Sequence, residues 1–256
     1  MPATHLNAWF KCLNPSSREA LRLFCFPYAG GNSAIFRPWL NQLPASAQIE
    51  LCPLHLPGRE ARLRELLVTD LAALVQTLSQ ALQPHLDQPF AFFGHSLGAL
   101  ISFELARQLQ AQGAPLPLHL FVSGCRAPQL LRNKGLHTLP DQALLAELQA
   151  LKGTPQQVLN NPELMQWLLP TLRADFSIFE TYIYHEQRPL ACDISVFGGL
   201  NDLEAPAASL PAWRQHTSLS FSQHVLPGDH FFLHTHYDLM LKIIADRLKP
   251  AIAAKP

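Results

Sequence analysis

The sequence has no excess of charge of either sign, because lysine plus arginine and aspartate plus glutamate each number 19. This balance gives no electrostatic basis for nucleic acid or an anionic membrane as the main partner. The chain has no run of about 18 apolar residues that would cross a membrane. Its first residues, MPATHLNAWFK, lack the basic start and apolar segment of a secretory signal. We therefore expect a cytoplasmic protein, monomeric by default, that binds neither nucleic acid nor membrane.

Motifs of common cofactor and metal sites are also missing. The sequence has no glycine-rich nucleotide fingerprint and no H-E-x-x-H motif. His230, His234 and His236 are close together, but their spacing does not match a zinc site. Five cysteines are present, an odd number, and most lie in apolar runs: Cys12, Cys25, Cys52, Cys125 and Cys192. We predict reduced, buried thiols rather than disulfides, and neither a metal nor a cofactor.

The chain is nevertheless long and apolar enough to form one sizeable core. It has 256 residues, of which 48% are hydrophobic, so we expect a single domain over residues 1–256. Apolar runs with strand character recur and alternate with helical patterns. These runs are Leu21–Phe26, Ile49–Leu54, Phe90–Phe93, Leu118–Ser123, Cys192–Gly199 and Leu219–Leu226. The alternation predicts an α/β fold with a mostly parallel central sheet and helices on both faces.

One stretch organises the rest of the sequence, PFAFFGHSLGALISFELARQLQ, which runs from Pro89 to Gln110. It is typical of a strand, a sharp turn and a helix, with G-x-S-x-G at the turn. A serine at such a turn projects its hydroxyl at the positive end of the following helix, where a developing oxyanion is stabilised. Ser96 is therefore the candidate nucleophile. His95, beside it, is expected to point the other way and to be structural.

A carboxylate and an imidazole follow two later strands. Asp202 comes after the strand ending at Gly199, and His230 comes after the last strand. The order Ser96, Asp202, His230, each on a loop after a strand, is the chain order of an α/β-hydrolase triad. Asp229 is the rival carboxylate, but neighbouring residues rarely meet in the required geometry. We predict Asp202 as the partner of His230.

Backbone donors for an oxyanion are expected at two places. The first is the N–H of Leu97, the residue after the nucleophile. The second is the loop after the first buried strand, where the pair Gly30-Gly31 allows N–H groups to point into a site. The residues alone leave Ala29 and Tyr28 open as the second donor.

The alternation of strands and helices stops between residues 129 and 189. Three helical patterns follow one another there without a strand, Asp141–Leu151, Asn161–Leu169 and Leu172–Tyr184. We interpret residues 129–189 as a helical lid inserted over the sheet, which would shape an apolar channel above Ser96. The alternative is that these helices complete the core.

Together, these motifs resemble one family over about residues 21–248. The matching segments are Phe26–Gly31, Pro57–Glu60, Gly94–Ala99, Ser123-Gly124 with Ala127-Pro128, Leu172–Phe176, Glu180–Tyr182 and Gly199–Asp202. They are similar to those of the type II thioesterases that accompany polyketide and nonribosomal peptide synthases. Two departures are visible: Asp229 stands where the family often has glycine, and Leu97 replaces a common methionine.

The resemblance implies an α/β-hydrolase that removes acyl groups from the phosphopantetheine thiol of carrier proteins, freeing synthases that are blocked by a wrong or stalled group. It carries the triad over to Ser96, Asp202 and His230, and the oxyanion donors to Ala29 and Leu97. The implied partner is an acyl or peptidyl carrier protein. Because carriers are generally acidic, basic residues are expected near the entrance, with Arg59, Arg62, Arg126 and Arg132 as candidates. The alternatives are a chain-releasing thioesterase or acyltransferase, a carboxylesterase of small molecules, and a noncatalytic binding protein of the same fold.

Overall fold

The structure, a computed structural model, describes residues 4–5, 7–15, 20–43 and 48–253. Its strands are β1 (Thr4–His5), β2 (Lys11–Cys12), β3 (Leu21–Phe26), β4 (Ile49–Pro53), β5 (Phe90–His95), β6 (His119–Ser123), β7 (Asp193–Gly199) and β8 (Phe221–Leu226). Its α-helices are α1 (Leu71–Leu82), α2 (Leu97–Ala111), α3 (Asp141–Leu151), α4 (Gln156–Leu159), α5 (Pro162–Glu180) and α6 (Tyr237–Ala253). Within these ranges, no helix combines the length and the hydropathy that crossing a bilayer requires.

Six of the strands form one parallel sheet in the order β4-β3-β5-β6-β7-β8. The first two strands pair separately as a short antiparallel hairpin. In a parallel sheet the carboxyl ends of all strands lie on one edge, so the loops after β3, β5, β7 and β8 meet there. The predicted sheet and its six strands are confirmed, with ends that differ by up to two residues.

The two faces of the sheet are covered by different helices. Alternate side chains of β5 point to opposite faces, so Phe92 packs with α1 and α2 while Phe93 packs with α6. The α1 helix begins directly after Asp70, whose side chain accepts a hydrogen bond from the Ala73 N–H (2.7 Å). Phe10 is fully buried against β3, which extends the core beyond the sheet's own helices.

Helices α3, α4 and α5 occupy the stretch between β6 and β7. Apolar residues of α3 and α5, together with Leu136 from the turn before α3, form a small cluster that is separate from the two clusters on the sheet: Leu136, Leu144, Leu148, Met165, Leu169 and Leu172. The prediction of two helices that separate near Pro170 is wrong, because α5 runs without a break from Pro162 to Glu180. A proline inside a helix removes one backbone hydrogen bond. Here the apolar stripe on both sides of Pro170 continues along the helix, and its packing outweighs that loss.

The prediction that all five cysteines are reduced is wrong for two of them. Cys12 and Cys52 form a disulfide, with Cα atoms 4.1 Å apart, between β2 and the edge strand β4. Forty residues separate them, so the sequence does not reveal that the N-terminal segment runs along β4. Hydrogen bonds place it there, including one from the Leu13 N–H to the Leu51 carbonyl (2.8 Å). The remaining three cysteines are free and buried, as predicted.

This arrangement predicts a definite thiol count. Burial raises the pKa values of Cys25, Cys125 and Cys192, so a disulfide-exchange reagent should react slowly with the native protein. Unfolding without reductant should expose three thiols, and unfolding with reductant five. Closure of a loop of this length is worth about 4 kcal/mol, so reduction should lower the Tm by on the order of 10 °C. Five thiols before reduction would contradict the disulfide.

Candidate active site

Ser96 lies at the turn between β5 and α2, as predicted. Its backbone has φ 54° and ψ −115°, a combination that costs energy for any residue with a side chain. The strain is maintained from both sides, because the Ser96 N–H donates to the Ser123 carbonyl (2.8 Å) and its own carbonyl begins the hydrogen bonds of α2. Gly98 allows the close approach, since a Cβ atom there would overlap the Phe26 carbonyl. The result is a serine hydroxyl held at the N-terminus of a helix and on the wall of a cavity.

His230 and Asp202 form a hydrogen-bonded pair beside that cavity. The His230 Nδ1 lies 2.9 Å from Asp202 Oδ2, and both residues are buried. Burial alone would raise the pKa of Asp202, but the hydrogen bond and charge of His230 and the N–H groups of Ala205 and Glu204 together lower it. The carboxylate is therefore ionised at neutral pH. Because the ionised carboxylate accepts the proton of Nδ1–H, the other ring nitrogen, Nε2, is unprotonated in the neutral imidazole. Nε2 can therefore accept a proton.

The rival residues have other partners. Asp229 accepts a hydrogen bond from the Phe231 N–H (3.0 Å), so it caps the turn that carries His230. The His95 Nδ1 is bonded to Ser123 Oγ (2.9 Å), and burial holds its pKa well below the usual value. His234 is bonded to the Tyr28 hydroxyl (2.9 Å), and His236 to Thr235. Each of these imidazoles thus has a separate partner, and His230 alone among them is paired with Asp202.

The loop after β3 forms a tight turn over residues 28–31. The Gly31 N–H donates to the Tyr28 carbonyl (2.8 Å), and Gly30 has φ +75°, a value that favours glycine at the third position of a type II turn. Ala29 and Leu97 both border the cavity that contains Ser96. Leu97 is the first residue of α2, where a helix leaves its N–H without an intrahelical partner. The two residues predicted to supply the oxyanion donors therefore border the same cavity as the serine.

The cavity has a volume of about 740 Å³. Ser96 and His230 lie on its sheet side, while the inserted helices form much of the rest. The apolar residues that these helices contribute include Leu148, Val158, Leu168, Leu172, Phe176 and Phe179. Arg126, Arg132 and Lys134 add positive charge to the lining. An apolar cavity with a few charged groups suits a substrate with a hydrocarbon part and a polar part.

The four arginines predicted near an entrance have different environments. Arg132 is exposed and Arg126 is half-buried, with its Nε donating to the Glu204 carbonyl (2.6 Å). Arg62 stacks on the Trp9 ring, and Arg59 is buried and forms an ion pair with Asp175 of α5. The prediction of an entrance role is therefore wrong for Arg59. Its partner is 116 residues away in sequence, and no local pattern indicated that pairing.

Glu60 anchors the segment that carries Arg59. Its carboxylate accepts hydrogen bonds from Ser33 Oγ (2.5 Å) and from His55 (2.9 Å). Burial alone would raise the pKa of Glu60, but the hydrogen bonds from His55 and Ser33 and the charge of His55 outweigh it, so the pKa falls from 4.5 to about 2.

This lowered pKa predicts a pH-dependent contribution to stability. The folded pKa of Glu60 lies below the unfolded value, so its contribution is complete above about pH 4.5 and is lost as the pH falls towards 2. The wild type and Glu60→Gln should therefore differ less in their free energy of unfolding as the pH falls through that window. Urea unfolding at several pH values measures this difference. Glu186→Gln is the control, since Glu186 is exposed and lies outside this hydrogen-bonded group. If the wild type and Glu60→Gln differ in free energy of unfolding by the same amount at pH 6 and pH 2.5, the lowered pKa of Glu60 is contradicted.

One group of side chains has the spacing of metal ligands within the described ranges: Cys12, Glu50 and Cys52. The two thiols are joined as a disulfide, which removes the thiolates that would bind a metal. Glu50 is paired with Arg22 (3.4 Å).

A parallel sheet with helices on both faces, a strained serine at a strand-to-helix turn and a His–Asp pair on the same edge define an α/β-hydrolase. A model of the thioesterase domain family matches residues 21–248. The chain belongs to this family, and it is a hydrolase that acts on thioesters.

Individual relatives are similar over almost their full length. The gramicidin S biosynthesis protein GrsT of Aneurinibacillus migulanus is 44% identical, with 98% of each chain covered. The protein named linear gramicidin dehydrogenase LgrE, of Brevibacillus parabrevis, is 46% identical, covering 97% of this chain and 96% of the relative. Among solved structures, the type II thioesterase BorB from the borrelidin biosynthetic cluster has a TM-score of 0.86 at 36% identity, covering 96% of this chain and 99% of BorB. The similarity thus extends to type II thioesterases of biosynthetic clusters.

Proposed function

We propose that this protein hydrolyses acyl groups from the phosphopantetheine thiol of carrier proteins and so removes aberrant or stalled groups from a polyketide or nonribosomal peptide synthase. The observation that carries the proposal is the strained Ser96 on the wall of a largely apolar cavity, with the His230–Asp202 pair beside it. Family membership supplies the thioester as the substrate class. The name of LgrE includes a dehydrogenase activity. We do not propose that activity for this protein, because its sequence lacks a dinucleotide fingerprint.

In the first half of the reaction, Ser96 Oγ attacks the thioester carbonyl carbon while His230 Nε2 takes the hydroxyl proton. The carbonyl oxygen becomes an oxyanion, which the N–H groups of Ala29 and Leu97 stabilise. Asp202 holds the His230 ring and stabilises the imidazolium. Collapse of the intermediate breaks the carbon–sulfur bond, and His230 returns the proton to the leaving thiolate. The acyl group is then attached to Ser96 as an oxygen ester.

In the second half, water replaces the serine as nucleophile. His230 takes a proton from water, whose oxygen attacks the acyl carbon through a second oxyanion in the same site. Collapse releases the carboxylic acid and returns a proton to Ser96 Oγ. Each step uses only side chains, backbone donors and water, so we propose that no cofactor takes part.

The inserted helices support a hydrocarbon acyl chain as the group removed. Seven apolar residues from them line the cavity, and burying each methylene of the acyl chain contributes about 0.8 kcal/mol. Most of the buried apolar residues of these helices form a cluster of their own, and only the end of α5, at Ile178, packs into the core of the sheet, which favours a lid over a purely structural role. We propose that they act as the lid that admits the acyl chain.

The test compares one acyl group on three leaving groups: a carrier protein, coenzyme A and a matched oxygen ester. We expect hydrolysis from the carrier to be fastest and to depend on Ser96, with Ser96→Ala as the control. Preference for the oxygen ester would indicate a carboxylesterase and overturn the carrier assignment. Transfer to an added alcohol or amine in place of water would indicate a chain-releasing acyltransferase.

Charge reversal at Arg132 tests the carrier partner separately. Arg132 is exposed on the cavity lining, whereas Arg126 holds the loop of Leu203 and Glu204 next to Asp202 and is unsuitable for substitution. Because carriers are acidic, we expect Arg132→Glu to raise the KM for a carrier-bound acyl group by about tenfold, equivalent to about 1.4 kcal/mol. Turnover of a small free thioester should change by less than twofold. Equal losses on both substrates would count against a docking role, and Arg188→Glu, remote from the cavity, is the matched control.

A further inference from the structure

A buried ion pair joins the inserted helices to the turn that carries the predicted oxyanion donor. Arg59, in the segment after β4, donates from Nη1 to Asp175 Oδ2 (2.9 Å) and from Nη2 to Asp175 Oδ1 (2.7 Å). Asp175 lies on α5. The Arg59 and Asp175 side chains are only 9% and 2% exposed, so their charges compensate each other almost out of contact with water.

Both members of the pair also bind the backbone of the turn. Asp175 Oδ2 accepts the Gly30 N–H (2.7 Å), and Arg59 Nη1 donates to the Gly31 carbonyl (3.0 Å). The two peptide groups that follow Ala29 and Gly31 are thereby fixed by charged partners, and hydrogen bonds to charged groups are the stronger kind. Leu172, one turn before Asp175 on α5, packs against Gly30.

The orientation of the Ala29 N–H follows from these contacts. Tyr28 and Ala29 share a trans peptide, in which the C=O and N–H point in opposite directions. The Tyr28 carbonyl points at the Gly31 N–H within the turn, so the Ala29 N–H points out of the turn. Rotation of the Gly30 peptide would break this turn, and the Asp175 carboxylate prevents that rotation by holding the Gly30 N–H.

We infer that Asp175 and Arg59 are positioning residues of the oxyanion hole, which hold the 28–31 turn in its active geometry through α5. The inference rests on the proposed function, because it assigns Ala29 as an oxyanion donor. It adds that the inserted helices take part in catalysis: the donor is aligned only while α5 lies against the turn. Transition-state stabilisation should therefore depend on this ion pair more than substrate binding does.

The test uses Asp175→Asn and Arg59→Lys. Asparagine retains an acceptor for Gly30 but leaves Arg59 without a counter-charge, and lysine cannot reproduce the forked contact with Asp175 and Gly31. Complete loss of an oxyanion donor costs about 10²- to 10³-fold in kcat. For a misaligned donor we expect a decrease of about 10- to 100-fold in kcat, with KM changed less than about threefold.

A second readout separates positioning from general damage. With a trifluoromethyl ketone analogue of the thioester, Ser96 Oγ adds to the ketone carbon, its proton goes to His230 and the carbonyl oxygen becomes the oxyanion. We expect each variant to lose affinity for this analogue by the same factor as kcat/KM, and to bind the matching unreactive thioether as the wild type does.

Asp141→Asn is the matched control, since it breaks another ion pair of α5, with Arg173, that does not touch the turn. Its kcat should change less than twofold. Unchanged kcat and analogue affinity in a folded Asp175→Asn or Arg59→Lys variant would overturn the inference, as would equal loss for both analogues. If either Asp175→Asn or Arg59→Lys does not fold, the measurements on the other variant decide the outcome. A wild-type protein that hydrolyses no thioester and forms no ketone adduct would instead refute the proposed function.

Discussion

Replacement of Ser96 with alanine is expected to lower kcat for thioester hydrolysis by about 10⁴-fold or more. Without the hydroxyl no acyl-enzyme forms, and the residual rate comes from water attacking a substrate that the oxyanion donors and the cavity still bind. Steady-state kinetics on a carrier-bound or small thioester measures the loss. Mass spectrometry of the wild type with a slowly released acyl group should show the added mass on Ser96.

Ser102 provides the matched control for this experiment. It lies on the same helix, α2, where its hydroxyl is buried and bonded to the Ala99 carbonyl (3.0 Å). Ser102→Ala should therefore leave kcat within about twofold. A Ser96→Ala variant that retained a tenth of the wild-type rate would contradict the nucleophile assignment, and acylation of another residue would relocate it.

Replacement of Asp202 with asparagine is expected to lower kcat by about 10⁴-fold while leaving KM nearly unchanged. Asparagine can present its NH₂ group to His230 Nδ1, which favours the tautomer with the proton on Nε2 and removes the base. Because the pKa of Asp202 lies below its usual value of 3.8, its carboxylate is ionised throughout the neutral range. The defect should therefore persist at every pH from about 5 upwards.

Asp229→Asn distinguishes the two neighbouring carboxylates. The Asp229 side chain accepts only the Phe231 N–H among the hydrogen bonds of the described residues, and an asparagine oxygen can accept the same bond. We expect its kcat to change less than about threefold. A larger loss in Asp229→Asn than in Asp202→Asn would reverse the assignment.

The parts of the site that the sequence predicted are those that depend on one strand and the loop after it. Ser96, Asp202 and His230 each follow an apolar run, and a parallel sheet brings such loops to one edge whatever the details of packing. The strain at Ser96 follows from the same local pattern. Residue order and strand periodicity were therefore enough to nominate these side chains.

Other parts depend on contacts between distant segments, which local patterns do not specify. Arg59 and Asp175 meet across 116 residues, and no local pattern links the two motif segments that contain them. Cys12 and Cys52 pair because an irregular N-terminal segment runs beside β4, which no periodicity indicates. At Pro170 the local rule favours a helix end, whereas tertiary packing keeps α5 continuous.

The separate apolar cluster of the inserted helices has a consequence for how such an enzyme diversifies. Residues such as Leu148 and Leu172 both pack in that cluster and line the cavity, while the sheet keeps its own two clusters. Substitutions in the insert can reshape the space for an acyl chain while the framework that holds the serine is left intact. Selection for new substrates can then change the inserted helices without destabilising the sheet.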